Sequence, residues 1–147
     1  MSKLVLRFET LSPQVVTACA DQLQAIAADQ PDEYWELEHF LLELPEKWIL
    51  SFAAILKETI VGYAILSRRD RSTVHLHHFM LAPDVRGSGF GGMMMDEVER
   101  RARDAGACTL SLKFRADQMR VRQFYEHRGL SLAGPRARYR IMTKQLS

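Results

Sequence analysis

Twelve residues constrain this chain more than any others: Leu81-Ala82-Pro83-Asp84-Val85-Arg86-Gly87-Ser88-Gly89-Phe90-Gly91-Gly92. Four of the eight glycines in the sequence fall in the last six of these positions. A strand-like run from Val74 to Leu81 precedes the loop, and a helix-like run from Met93 to Ala105 follows it. Glycine lets a backbone turn sharply, approach a ligand closely and aim its N–H groups at it. The first turn of the following helix adds unpaired amides and the positive end of the helix dipole, a setting that suits phosphate.

The rest of the chain divides into short elements around that junction. Leu4, Leu6 and Phe8 alternate in a strand from Lys3 to Glu9. Ser12-Pro13 opens a helix that carries Val16, Cys19, Ala20, Leu23, Ile26 and Ala27 at helical spacing. Gln30-Pro31 stops it, and Asp32 is placed to cap a second, acidic helix ending near Leu42. Trp48 to Lys57 and Ile60 to Ser67 read as a hairpin parted by Glu58-Thr59, followed by a strand from Thr73 to Leu81. After the loop, Met94, Val98, Ala102 and Ala105 share one helical face, and Gly106 supplies the C-cap. A strand from Cys108 to Phe114, a helix from Met119 to Arg128 and a strand from Arg138 to Lys144 complete the chain. The order β-α-α-β-β-β-α-β-α-β predicts a single domain over residues 1–147 of the mixed α/β (α+β) class. Its sheet is central, mostly antiparallel and flanked by helices.

With 147 residues, 47% hydrophobic and 26% charged, the composition is that of a soluble globular domain. No apolar run approaches the roughly 20 residues of a membrane span. The N-terminal strand is interrupted too early for a signal peptide, so the expectation is a cytoplasmic protein with no membrane partner. Cys19 and Cys108 lie far apart without metal-ligand companions and read as buried thiols. The net charge of +2 is unevenly placed: seven acids and no Lys or Arg between Asp29 and Glu46, nine bases against two acids between Lys113 and Lys144. Such asymmetry speaks about partners rather than fold.

Gly87-Ser88-Gly89-Phe90-Gly91-Gly92 contains G-x-G-x-x-G, but a dinucleotide fold needs repeated βα units after the loop and an acid about 20 residues on. Leu112, Lys113 and Phe114 occupy that region. The P-loop signature is absent. Arg86 to Gly91 instead has the form R-x-x-G-x-G after a strand ending in Leu-x-Pro, and it resembles the acyl-coenzyme-A loop of the GNAT acetyltransferase superfamily. The element order and a later segment, Phe124-Tyr125-Glu126-His127-Arg128-Gly129-Leu130, extend the resemblance across nearly the whole chain.

The resemblance implies acetyl-coenzyme A (or coenzyme A) as co-substrate and no metal. Amides of Arg86, Gly87, Ser88, Gly89, Phe90 and Gly91, with Gly92 beside them, would hold the pyrophosphate. Main-chain groups near Met80 and Leu81 would pair with the pantetheine arm in the manner of strand addition. Arg120 and Arg122 are candidates for the nucleotide 3′-phosphate from charge alone. Gln118 stands where the family often has Asn, and Tyr125 stands at the place of the general acid. The bland alternative for Tyr125 is a core aromatic.

Acyl transfer to an amine needs a proton acceptor, a stabilised thioester oxygen and a protonated leaving group. His75-Leu76-His77-His78 offers imidazoles that titrate near neutrality. Strand alternation puts His75 and His77 on one face and His78 on the other. His75-Leu76-His77 resembles the His-x-His strand of the arylalkylamine N-acetyltransferases, which implies His77 as principal base and His75 as relay. The acidic segment, with Tyr34, Trp35 and Phe40, suits a cationic amine, either a small molecule or a peptide. A homodimer stays open, and a nucleic-acid partner is not expected, since no aromatics interleave with the C-terminal bases. The alternative function is a non-catalytic domain of the same fold that senses acyl-coenzyme A or binds a partner.

Overall fold

The computed structural model describes residues 5–147, so Lys3 and Leu4 of the first expected strand lie outside the described residues. Among the described residues there are six α-helices: α1 (Pro13–Ala18), α2 (Ala20–Ile26), α3 (Leu37–Leu41), α4 (Lys47–Leu50), α5 (Phe90–Asp104) and α6 (Met119–His127). Seven strands form one sheet: β1 (Arg7–Thr10), β2 (Phe52–Leu56), β3 (Thr59–Arg68), β4 (Thr73–Leu81), β5 (Thr109–Arg115), β6 (Ser131–Arg136) and β7 (Tyr139–Gln145). Their order is β1-β2-β3-β4-β5-β7-β6. Every neighbouring pair is antiparallel except β4 and β5, which are parallel because α5 crosses over between them. The class is the expected mixed α/β with a mostly antiparallel sheet.

Five local expectations are corrected. The first helix breaks at Cys19 into α1 and α2. The acidic helix shrinks to a 3-10 turn (Pro31–Glu33) and α3, and Asp32 caps nothing because its carboxylate pairs with Arg115. Trp48 begins no strand: it lies in α4, which the buried Lys47 ties to α3 by donating to the carbonyls of Phe40 (2.5 Å) and Leu42 (2.7 Å). The hairpin turn is Lys57-Glu58, both left-handed (φ 48° and 66°), the two-residue geometry whose twist matches the flanking strands. β6 is the strand missed by pattern. Gly134-Pro135 reads as a breaker, yet proline is tolerated at a sheet edge, and β6 is the edge.

Both faces of the sheet are packed. On one, Met95, Val98 and Ala102 of α5 and Tyr125 of α6 cover Leu66, Val74, Leu76 and Leu112. On the other, Val16, Leu23 and Phe40 of α1–α3 cover Ala53, Tyr63, Ile65 and Met80. Burying a side chain such as Leu23 contributes about 2 kcal/mol of transfer free energy, so the two layers fix where β4 lies.

Gly62 in β3 makes that placement tight. A Cβ there would lie 2.8 Å from the Met80 carbonyl oxygen and 2.9 Å from the Met94 sulfur. Backbone cannot yield as a flexible side chain can, so Gly62→Ala is expected to cost about 1–3 kcal/mol, seen as a lower urea midpoint.

Candidate active site

β4 and β5 pair only from Thr73↔Thr109 to Leu76↔Leu112. Beyond those residues the strands splay, and β4 runs on to Leu81 paired on its β3 side alone. A cavity of about 540 Å³ opens in the split, with the glycine loop at one end and α6 along one wall. Of the expected donor-side residues, Met80, Leu81, Arg86, Gly87, Gly89, Gly91, Gly92 and Gln118 line it. Ser88 and Phe90 do not. The Ser88 hydroxyl donates back to the Val85 carbonyl (2.5 Å), and the Phe90 ring is core, packed with Leu6, Ala54, Val61 and Met94.

The loop glycines do two different jobs. Gly89 is left-handed (φ 86°) at the N-cap of α5, where a side chain would be strained. Gly91 is needed for closeness, since a Cβ there would come within 3.3 Å of the Phe124 ring. Arg86 donates from Nε to the Leu81 carbonyl (2.8 Å) and from Nη1 to the Asp29 carboxylate (2.8 Å), joining the loop to the segment after α2.

Tyr125 stands on the α6 wall of the cavity, flanked by Phe124 (ring centroids 5.4 Å) and Phe79 (6.5 Å). Its hydroxyl bonds to no other described residue. Burial, reinforced by the charge of Glu33, pushes its pKa well above the ordinary tyrosine value, so it is a neutral O–H donor at any physiological pH.

The histidines depart from simple alternation. Pairing shifts between Ile65 and Leu66 of β3, so His78 opposes Ile65, Leu76 opposes Leu66, and His77 is the extra residue of a bulge. That insertion corrects the expectation that His78 faces away from His75. His78 stacks on Trp35 (4.4 Å, 20°) and lies 5.1 Å from the Tyr63 ring. His75 pairs in register with Ser67 of β3 and Ser111 of β5, and its Nδ1 is 2.7 Å from Ser111 Oγ. His77 Nε2 is 2.6 Å from Ser67 Oγ, and its ring meets His75 edge-on at 4.7 Å. His77 and His78 line the cavity, whereas His75 lies buried behind His77.

All three imidazoles are held neutral. Burial lowers His75 to about 3, with Arg69, His77, Lys113 and Arg136 adding to it. His78 is lowered to about 4 by burial, against an opposing bond involving Glu33. His77 is lowered to about 4 by desolvation and then by Arg69, Lys47 and Lys113, although it keeps an exposed edge. An unfolded histidine takes its proton near pH 6.5, whereas buried His75 and His78 resist it. Their contribution to stability is therefore complete above about pH 6.5 and lost as pH falls toward 4, by about 2 kcal/mol per histidine at pH 5. His75→Leu is expected to remove its share of that acid limb, measured as the change in urea midpoint between pH 7 and pH 5.

Sequence reasoning missed Glu33 and His78. Glu33 lines the cavity with its Oε2 3.7 Å from His78 Nδ1, and burial raises its carboxyl above the ordinary range against the pull of Arg115. Beside them, His78 Nε2 and the Tyr63 hydroxyl are buried without a hydrogen-bond partner among the described residues. The signal for Glu33 was present as one acid in seven, but nothing in the pattern separated it from the others. Most of those are engaged: Asp29 with Arg86, Asp32 with Arg115, Glu43 with the Trp48 indole and Glu46 with Arg68. Among the described residues no group of three His, Cys, Asp or Glu could hold a metal ion. No described helix is long and apolar enough to cross a membrane.

A family model, described as Acetyltransferase (GNAT) family, matches residues 16–130. An uncharacterized N-acetyltransferase of Mycobacterium tuberculosis is 35% identical over 77 residues, 52% of this chain and 49% of that protein. The chain thus spans about half the length of the curated relatives it matches. Ard1 from Thermoplasma volcanium superposes with a TM-score of 0.82 at 18% identity, covering 97% of this chain and 98% of that one. The PaiA N-acetyltransferase from Thermoplasma acidophilum, in complex with coenzyme A, superposes at 0.74 and 17% identity, covering 96% and 99%. These two likenesses establish the fold.

Proposed function

The chain belongs to the acetyltransferase (GNAT) family, and from that premise we propose that it transfers an acetyl group from acetyl-coenzyme A to a primary amine by direct attack in a ternary complex. One observation carries the reading. The free edge of β4 past Leu76, the glycine loop and Tyr125 all face the same cavity. Residues 77–81 offer main-chain groups to an extended arm, as an added strand would use them. The left-handed glycines and the first turn of α5 fit a pyrophosphate, and Arg86 stands beside them. The Thermoplasma acidophilum protein of the same fold was solved with coenzyme A, which supports this donor.

Acetyl-coenzyme A supplies an activated acyl carbon. The chain supplies orientation and proton handling. Tyr125 carries a proton in an apolar wall, where it can be given to a departing group. Neutral His77 accepts one from the amine side, directed by Ser67, with His75 and Ser111 fixing it from behind. Glu33 is a second candidate proton acceptor, placed beside His78 and with its charge felt at Tyr125.

Isothermal titration with acetyl-coenzyme A is expected to give micromolar or tighter binding, and thiol release is expected to rise above background with at least one amine of a mixed panel. Binding without any amine-dependent release would make the chain a sensing or partner-binding domain of the same fold. Absence of binding would remove the donor.

A further inference from the structure

On the face of the sheet that carries His75 and His77, the apolar layer stops at β4. The buried residues packed under α1–α3 come from β2, β3 and β4, and none of the described residues of β5, β7 or β6 belongs to that cluster. Beyond that apolar layer, register defines a polar row, Ser67 of β3, His75 of β4, Ser111 of β5 and Thr143 of β7, of which the first three are buried. Lys113 lies two residues beyond Ser111 and so projects from the same face. Arg136 opposes Tyr139 of β7, whose ring holds Lys113 Nζ 4.8 Å from its centroid. Arg69 lies two residues past Ser67, just beyond the end of β3 and on the other side of the row from Lys113.

These three cations, like Arg120 on the cavity wall, stand apart from the bases that meet a carboxylate. Arg68, Arg86, Arg115, Arg128 and Lys144 each meet a carboxylate, but no ion pair among the described residues engages Arg69, Lys113 or Arg136. All three are exposed. Lys113 lines the cavity together with His77, and the fields of Arg69 and Lys113 are felt at both His75 and His77. The acids expected to attract a cationic acceptor are mostly bound to other side chains, so the free charge on this side of the cavity is positive.

Resting on the transferase reading above, we infer that the acceptor is an amine carrying its own carboxylate, of the amino-acid class, with Lys113 and Arg136 holding the carboxylate, Arg69 reinforcing them, and the amine presented to His77. Guanidinium and ammonium donors form charge-assisted bonds to carboxylate, and a carboxylate anchored a few bonds from the amine fixes the attacking nitrogen. Glu33 across the cavity faces the opposite pole of such a zwitterion.

The test uses thiol release with matched pairs, each amino acid against its own amide, for alanine, β-alanine and glutamate, with phosphoethanolamine and tryptamine alongside. The amide's amine has the lower pKa and is intrinsically readier to react, so a preference for the acid must come from the protein. The acids are expected to be favoured by about tenfold or more in kcat/KM, the effect of one charged hydrogen bond. Lys113→Ala and Arg136→Ala are expected to raise KM for the acids by about tenfold each with little change for the amides, and Lys113→Arg to restore most of it. Arg7→Ala, at the far edge of the sheet, is the control. Equal use of acids and amides, preference for tryptamine or for phosphoethanolamine, or an unchanged KM in both alanine variants overturns the inference while leaving the transferase reading intact. Silence from every amine overturns that reading and this inference with it.

Discussion

Tyr125→Phe is expected to lower kcat by about a hundredfold or more while acetyl-coenzyme A affinity stays within a factor of about two. The substitution deletes one oxygen from a residue that is 8% exposed and clasped between Phe79 and Phe124. Phenylalanine fills the same space, so the wall of the cavity and the fold are kept. The hydroxyl satisfies no other described group, so removing it orphans nothing. Its only evident use is toward what enters the cavity. Because burial and Glu33 both disfavour the phenolate, the group arrives protonated across the working pH range and acts as a donor. Single-turnover kinetics separate this role from a binding role: the acyl-transfer step slows, and titration with acetyl-coenzyme A does not change. A poorer leaving group should magnify the deficit. Equal turnover in wild type and Tyr125→Phe would reduce Tyr125 to an aromatic wall.

What the sequence discloses follows the range of the forces involved. The glycine loop is legible because its chemistry is local: left-handed Gly89 and close-packed Gly91 need glycine wherever the chain goes next. Helix α5 and strand β5 are legible because each carries an uninterrupted period. The bulge at His77 is not legible, since it exists only in the pairing of β4 with β3, and an alternation rule applied to β4 alone sends His78 to the wrong side. The fate of the acidic segment is hidden for the same reason. Asp29 meets Arg86 and Asp32 meets Arg115 across long separations, so a run that reads as a cationic-ligand surface becomes a set of internal ties. β6 was lost to Gly134-Pro135, whose local preference is overridden by an edge position that only the finished sheet defines. Most residues that line the loop end of the cavity are therefore legible as a motif, whereas the places of Glu33, Lys113 and Arg136 emerge only with the fold.

His77→Ala is expected to lower kcat/KM by about a hundredfold at pH 7, and the deficit is expected to shrink as pH rises toward the amine's own pKa of about 10. At pH 7 nearly all of a primary amine is ammonium, and a nearby neutral imidazole helps it shed a proton. At high pH the free amine is abundant and that help is redundant. The sign of the pKa shift matters here. His77 is lowered to about 4, so its own protonation removes it only in acid, and no limb from His77 should appear between pH 6 and 8. An imidazole of ordinary pKa would instead impose an inflection near 6.5. Ser67→Ala should reproduce part of the loss by releasing Nε2 without touching the ring. Glu33→Gln discriminates the rival. If it costs more than His77→Ala and removes the pH dependence, the carboxylate is the acceptor and His77 only shapes the site. If it changes KM alone, Glu33 holds the ammonium and His77 takes the proton.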